Sequence, residues 1–124
     1  MAEFLSAEWV ELLHGAGTAP GPSGTVQMVV TAGPDGDVKW HTRVDDGVVM
    51  EAELGARPAP DVTLTLSYAE ARALVSGELE PSVAFMRGRM KTAGDPGLVL
   101  DLLAAAATPS WRATRERLAA DTDA

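Results

Sequence analysis

The spacing of apolar residues divides the chain into helical and extended segments. Between residues 4 and 14 apolar side chains such as Phe4, Trp9 and Leu13 recur at helical spacing, which predicts an amphipathic helix. Ser6 is placed to cap the start of this helix, and Gly15 is placed to end it. The residues that follow, up to position 24, are rich in glycine and proline and predict a loop.

From Thr25 onward, apolar and polar residues alternate with a period of two in four successive segments. Gly33-Pro34-Asp35-Gly36 and the pair Asp46-Gly47 lie between segments and suit chain reversals. This alternation predicts an antiparallel sheet with one covered face and one face in solvent. The predicted inward positions are Val26, Met28, Val30, Ala32, Val38, Trp40, Thr42, Val44, Val48, Met50, Ala52, Leu54, Val62, Leu64 and Leu66.

After residue 66 the sequence contains four helix-start signals. Ser67 and Glu70 form a capping box, and a proline follows each of the three later starts, at Glu80, Asp95 and Thr108. A short strand is expected at residues 89–92, and the last helix at residues 108–120. The order of elements predicts an α+β fold, with about five largely antiparallel strands and helices packed on one face of the sheet. We assign residues 1–124 to a single domain whose core spans residues 25–107.

The segment from residue 77 to 95 carries the most specific pattern in the chain. It combines two helix starts, a short strand and two glycine stops, and it resembles the sterol carrier protein 2 (SCP2) family. The agreement covers the aromatic residue, the glycines, the acidic cap and the apolar residues of the next helix, namely Phe85, Gly88, Gly94, Asp95, Leu98, Leu102 and Leu103. Family members commonly have Lys-Leu-Lys where this chain has Arg89-Met90-Lys91. The resemblance implies a non-enzymatic protein that binds a lipid in an apolar tunnel between the sheet and its helices.

Such a tunnel should be lined by apolar side chains, because burial of hydrocarbon contributes about 0.8 kcal/mol per CH₂ to binding. Methionines suit this role because they repack readily around ligands of different shape. An ordinary filled core is an equally weighted interpretation of the same residues. The lining candidates are Met28, Val30, Trp40, Met50, Leu64, Phe85, Met86, Met90, Leu98 and Leu102.

A small basic cluster lies beside the expected tunnel. Arg87 and Arg89, followed by Lys91, could clamp the carboxylate or phosphate head group of a lipid. The alternative is a solvated surface whose cations balance Glu78 and Glu80.

Composition excludes several other functions. A formal net charge of −8 opposes nucleic-acid binding, and the absence of cysteine excludes disulfides and thiolate metal sites. The two histidines, His14 and His41, are far apart, so we expect no metal site. No clustered acid–base set and no dinucleotide-binding fingerprint is present, so we expect no catalytic residue and no cofactor.

The chain also lacks the features of a membrane-inserted or exported protein. No apolar run reaches the roughly 18–20 residues that a membrane span requires, and no basic region followed by a long apolar run stands at the N-terminus. We therefore expect a cytoplasmic protein without stable membrane insertion.

The function predicted from the sequence is the binding or carrying of a sterol, a fatty acyl chain or a fatty acyl-CoA. One alternative is an interaction module that docks a larger lipid-metabolising enzyme, and another is an enzyme subunit that presents lipid substrates. A filled interior would favour the interaction module. The oligomeric state is left open.

Overall fold

The computed structural model describes residues 2–15, 21–34, 36–120 and 122–123. The elements in chain order are β1 (Ala2–Glu3), α1 (Ala7–Glu11), β2 (Gly24–Gly33), β3 (Gly36–Asp45), β4 (Val48–Leu54), β5 (Val62–Ser67), α2 (Tyr68–Ser76), α3 (Pro81–Met86), β6 (Lys91–Gly94), α4 (Pro96–Ala106), α5 (Pro109–Ala120) and β7 (Thr122–Asp123).

Five strands form one sheet in the order β4-β3-β2-β5-β6. All neighbours in this sheet are antiparallel except β2 and β5, which run parallel. The helices lie on one face of the sheet, where α2 and α4 pack against β5 and α1 packs against β4. The predicted α+β class and the largely antiparallel five-stranded sheet are therefore confirmed.

The chain ends meet beside this layer. Strands β1 and β7 pair in parallel, with Ala2 opposite Thr122. The first helix is shorter than the predicted span of residues 4–14, because the Ser6 side chain accepts a hydrogen bond from the Trp9 amide (3.2 Å) and so caps the helix only there. Phe4 and Leu5 precede the helix and are buried.

The tight turn between β3 and β4 follows the sequence prediction. Asp46 and Gly47 both have positive φ angles, of 51° and 85°, as a two-residue hairpin of this kind requires. The turn between β2 and β3 includes Asp35, which lies outside the described residues.

Strand β4 departs from simple alternation. Thr42 pairs with Ala52 and Val44 pairs with Val49, with a register shift between Arg43 and Val44. The bulge places one extra residue, Met50, in β4 and moves the inward position to the buried Val49. The prediction that Met50 points inward is therefore wrong, since its side chain is 44% exposed.

The predicted short strand begins two residues later than expected, at Lys91. Arg89 and Met90 instead form a turn in which both amides donate to the carbonyl of Ala84, at 2.8 and 3.2 Å. Both amides are therefore engaged inside the turn.

The outer face of the sheet is not entirely in solvent. Gln27 is only 5% exposed, its Nε2 donates to the carbonyl of Trp40 (2.9 Å), and its Oε1 accepts from the amide of Arg57 (2.7 Å). Because its polar atoms are bonded to backbone groups, this side chain is buried without leaving an unsatisfied polar group. Gln27 thereby holds the segment after β4 against the outer face.

Candidate functional site

A cavity of about 270 Å³ lies between the inner face of the sheet and the helices. Its walls are almost entirely apolar. The lining residues are Phe4, Trp9, Leu13, Pro22, Val26, Met28, Trp40, Thr42, Val44, Gly47, Val49, Leu64, Leu66, Ala71, Leu74, Val75, Pro81, Met90, Val99, Leu102, Leu103, Ala105, Ala106, Trp111, Thr114, Arg115 and Leu118.

The strand wall is built by register as well as by alternation. Met28 stands opposite Trp40 on one side and opposite Leu64 on the other, so these three side chains form one row across β3, β2 and β5. Residues opposite each other on neighbouring strands point to the same face. This row therefore forms part of the cavity floor.

The helical wall comes from α2, α4 and α5. Helix α2 contributes Leu74 and Val75, and α4 contributes Leu102 and Leu103. Helix α4 is apolar on most of its surface, and the same helix leaves Leu100 59% exposed. Only part of its apolar surface therefore faces the cavity.

Aromatic rings pack together at one part of the cavity wall. Trp9 lies edge-on to Phe4 and to Trp40, with ring centroids 5.0 and 5.6 Å apart. Tyr68 lies 5.4 Å from Phe4. These are favourable geometries for aromatic pairs, so the rings stabilise this part of the structure.

Arg115 is the single charged residue in the lining, within the described part of the chain. Its side chain is 17% exposed, and its Nη1 lies 3.4 Å from Oε1 of Glu80. Its guanidinium lies over Gly77, 3.3 Å from the position that a Cβ would occupy there. The absence of a side chain at Gly77 therefore lets Arg115 reach Glu80.

The sequence-based site prediction did not include Arg115. The spacing along α5 could have identified it. Trp111, Arg115 and Leu118 share one stripe of this helix, and all three line the cavity. Phe4, Trp9 and Leu13 were also missed, because nothing in local periodicity says which sheet residues the N-terminal segment will cover.

Of the ten predicted lining residues, the structure brings five together in the cavity wall: Met28, Trp40, Leu64, Met90 and Leu102. Two others, Val30 and Leu98, are buried in core clusters and do not line the cavity. Val30 is 0% exposed because Val38 and Leu66 flank it on the two neighbouring strands.

Phe85 is half-buried and also lies outside the lining. It packs against the cluster of Val62, Leu98 and Val99 and against the cluster of Leu79, Ala84 and Met90. It therefore joins two parts of the core.

Met86 is 83% exposed, so the prediction that it points inward is wrong. Ala84, two residues earlier in α3, is 0% exposed. Side chains two positions apart in a helix point about 200° apart, so burial of Ala84 directs Met86 to solvent. Met50 is the other predicted lining residue that faces solvent.

The predicted head-group residues are not at the cavity. Arg87 and Arg89 are exposed and neither lines it. No salt bridge of either side chain is found among the described residues.

The described residues contain no group of three His, Asp or Glu side chains that could share a metal ion. His41 donates from Nδ1 to the carbonyl of Gly55 at 3.0 Å, and its Nε2 lies 3.9 Å from Glu53. Among the described helices, none has the length and apolar character needed to cross a membrane.

A second depression, of about 350 Å³, lies at the surface beside α2 and the paired chain ends. Its lining mixes apolar residues with Arg72, Ser76 and Glu78. It lacks the continuous apolar wall of the cavity between sheet and helices, which is therefore the better candidate site for an apolar ligand.

Comparison with known proteins agrees with this geometry. The model of the SCP-2 sterol transfer family matches residues 19–106. No curated protein matches the chain.

Solved structures have the same fold. A conserved hypothetical protein from Thermus thermophilus, described as possibly a sterol carrier protein, is 17% identical with a TM-score of 0.75, and the match covers 94% of this chain and 90% of that one. A crystal structure of sterol carrier protein 2 is 20% identical with a TM-score of 0.74, covering 92% and 98%. Palmitated SCP2L2 from Aedes aegypti is 21% identical with a TM-score of 0.61, covering 70% and 75%.

Proposed function

The chain belongs to the SCP-2 sterol transfer family, and from that premise we propose that it binds a lipid in the cavity between its sheet and its helices. Family membership supports lipid binding or transfer. The observation that carries the proposal is the apolar wall, in which a floor of strand side chains faces apolar residues from three helices.

Apolar burial alone is sufficient for useful affinity. A hydrocarbon chain of about a dozen CH₂ groups would gain roughly 10 kcal/mol at about 0.8 kcal/mol per CH₂, against association costs of several kcal/mol. The remainder corresponds to micromolar or tighter binding. The cavity of about 270 Å³ is close to the lower end of the size range of small-molecule pockets, which favours a slender acyl chain over a bulky ring system.

The polar end of such a ligand would lie at Arg115. The guanidinium of Arg115 has five N–H donors, so it can donate to a hydroxyl or carboxylate of the ligand in addition to its contact with Glu80. A fatty acid satisfies both requirements, since it combines a narrow hydrocarbon chain with an acceptor group. We therefore propose a fatty acyl ligand ahead of a sterol.

We propose binding without catalysis. The described lining supplies apolar side chains, Thr42, Thr114 and Arg115, and among these residues is no carboxylate or imidazole that could act as a general base. The alternative interaction module was expected to have a filled interior, so the presence of a cavity supports the carrier over that alternative.

The proposal is tested with two tryptophan substitutions in α4. Leu102 lines the cavity, whereas Leu100 on the same helix is 59% exposed. We expect Leu102→Trp to fill the cavity and to abolish high-affinity binding of cis-parinaric acid, a fluorescent fatty acid. Leu100→Trp, the matched control, should leave the dissociation constant within about twofold of that of the unmodified protein, as expected for a change at an exposed position away from the site.

Native mass spectrometry of the purified protein gives a second readout, because a bound lipid adds its mass to the folded protein and not to the denatured chain. Equal affinity of both tryptophan variants for the probe, or no probe binding by the unmodified protein, would contradict the proposal. Circular dichroism would establish that the Leu102→Trp variant is folded.

A further inference from the structure

Residues 81–94, which lie between α2 and α4, have a charge opposite to that of the whole protein. From Pro81 to Gly94 the chain carries Arg87, Arg89 and Lys91 and no acidic residue, whereas the formal net charge of the protein is −8. The acidic residues next to its two ends are already engaged, since Glu80 pairs with Arg115 and Asp95 caps α4 by accepting from the amides of Gly97 and Leu98. Glu78, two residues before Glu80, lines the surface depression beside α2.

Backbone hydrogen bonds define the shape of residues 86–91, here named the basic turn. The carbonyl of Ala84 accepts from the amides of Arg89 and Met90, and the carbonyl of Val83 accepts from the amide of Arg87 at 3.0 Å. Gly88 has a φ angle of 69°, which a glycine adopts readily. The turn is therefore an ordered surface feature and not a loose loop.

The basic turn separates its side chains sharply between inside and outside. Met90 is 6% exposed and lines the cavity, whereas Met86 is 83% exposed, the highest value among the large apolar residues that the structure describes. All three cations of the turn are exposed. Met86 and the three cations are therefore all exposed on one turn of six residues.

The three cations are also without ionic partners in the described structure. Salt bridges occur elsewhere, at His41–Glu53, Arg43–Glu51 and Arg115–Glu80. Strand β5, which pairs with β6 behind the turn, contains no charged residue. Helix α4, which contacts α3, carries a single acidic residue, Asp101. The cations therefore remain available to an external anion.

We propose that the basic turn docks onto an anionic lipid bilayer. Exposed cations beside an exposed apolar side chain match the membrane interface, where phosphates meet the first methylene groups. Each cation close to an anionic membrane contributes about a fivefold gain in binding. Because charges are screened beyond about 8 Å at physiological ionic strength, carboxylates farther than that from the turn do not cancel the local attraction.

Docking through the basic turn would place the cavity close to the membrane surface. Met90 lines the cavity from the inner side of the same turn that presents Met86 and the arginines outward. A bilayer held by the turn would therefore lie one residue layer from the cavity wall. This goes beyond the proposed lipid binding and does not depend on it, since the surface could bind a membrane with the cavity empty.

The test is co-sedimentation of the full chain with vesicles of phosphatidylcholine, alone or mixed equally with phosphatidylglycerol. We expect binding to the mixed vesicles only, and a fall in binding as salt is raised. The double variant Arg87→Glu/Arg89→Glu should bind at least about tenfold more weakly, since two attractive charges become repulsive. Met86→Ser should reduce binding a few-fold, because it removes the apolar contact.

Arg112→Glu/Arg117→Glu is the matched control, since both residues are exposed on α5 and the change in net charge is the same. This variant should bind vesicles within about threefold of the unmodified protein, because its new charges lie outside the docking surface. Equal loss of binding by the two double variants, or equal binding to neutral and anionic vesicles, would overturn the proposal. Absence of binding to both kinds of vesicle would also overturn the docking proposal. An acidic protein surface would then be the better candidate partner for the basic turn.

Binding of cis-parinaric acid separates this proposal from the proposed cavity function. We expect Arg87→Glu/Arg89→Glu to retain the probe affinity of the unmodified protein, since neither arginine lines the cavity. Loss of vesicle binding with intact probe binding is the result that the docking proposal requires. Loss of both in this variant would overturn it, because the substitutions would then have damaged the fold.

Discussion

The indole Nε1 of Trp9 donates a hydrogen bond of 2.9 Å to Oγ1 of Thr122, a residue 113 positions later in the chain. Trp9 is 2% exposed and lines the cavity, and Thr122 belongs to β7, which pairs with β1. A lining residue of the cavity is thus held in place by a contact between the two ends of the chain. A buried indole N–H needs such a partner, because leaving it unpaired costs about 1–3 kcal/mol.

Thr122→Val should therefore destabilise the protein by about 1–2 kcal/mol, because the variant retains the shape of the side chain and loses both the acceptor for Trp9 and the donor to the carbonyl of Leu118. Urea denaturation followed by tryptophan fluorescence measures the free energy of unfolding. The control is Thr63→Val in β5, where no side-chain hydrogen bond is found among the described residues. It should change stability by less than about 0.5 kcal/mol, and equal effects of the two substitutions would contradict the role of Thr122.

The two methionines of the basic turn should respond differently to truncation. Met90→Ala removes a side chain that is 6% exposed and should cost at least about 2 kcal/mol. Met86→Ala removes a side chain that is 83% exposed and should change stability by less than about 0.5 kcal/mol. Denaturant titration of both variants checks this, and a larger loss for Met86→Ala would mean that α3 is oriented differently.

Two glycines with positive φ offer a test of crowding in the sheet. A Cβ at Gly94 would overlap the backbone carbonyl of Asp61, whereas a Cβ at Gly88 would meet no atom within 4 Å. Gly88→Ala should cost about 1 kcal/mol, the strain of a left-handed alanine alone. Gly94→Ala should cost at least about 3 kcal/mol, because β6 must also move away from β5. Thermal unfolding of both variants measures the difference, and similar melting temperatures would show that the β5–β6 edge yields easily.

Arg115 provides the sharpest test of the ligand proposed for the cavity. Arg115→Met keeps the apolar stem and removes the donors, so affinity for a fatty acid should fall about tenfold. Affinity for the methyl ester of the same acid should fall far less, because the ester carries no charge. Isothermal titration of both ligands measures the two changes, with Arg112→Met as the control for loss of a cation on α5. Equal losses for acid and ester would remove the head-group role of Arg115.

Stability should respond only weakly to Arg115→Met. The ion pair with Glu80 is partly open to solvent, with side-chain exposures of 17% and 39%, and such pairs contribute up to about 1 kcal/mol. A loss of several kcal/mol would mean that the guanidinium mainly supports the contact of α5 with Gly77.

Much of the fold could be predicted because its information is local. Alternating residues indicated the strands, Asp46-Gly47 marked a hairpin, and Ser67 marked the start of α2, where its Oγ accepts from the amide of Glu70 at 3.2 Å. The inward direction failed at Met50, because Val48, Val49 and Met50 are all apolar and alternation cannot say at which of them a bulge reverses the faces. The helical pattern at residues 84–86 likewise did not say which side chain would meet the core.

The sequence by itself determined the α+β class, the positions of the turns and helix caps, and the supply of apolar side chains for one face of the sheet, because propensity and periodicity act over a few residues. Only the tertiary structure decided which of those side chains line a cavity, because that wall joins Trp9, Trp40 and Leu118 from distant parts of the chain. It likewise decided that Arg115 lies at the cavity while Arg87 and Arg89 face solvent. The position of Arg115 depends on how α5 packs against α2 and α4, and helix packing is set by the fit of whole surfaces, which no local pattern records.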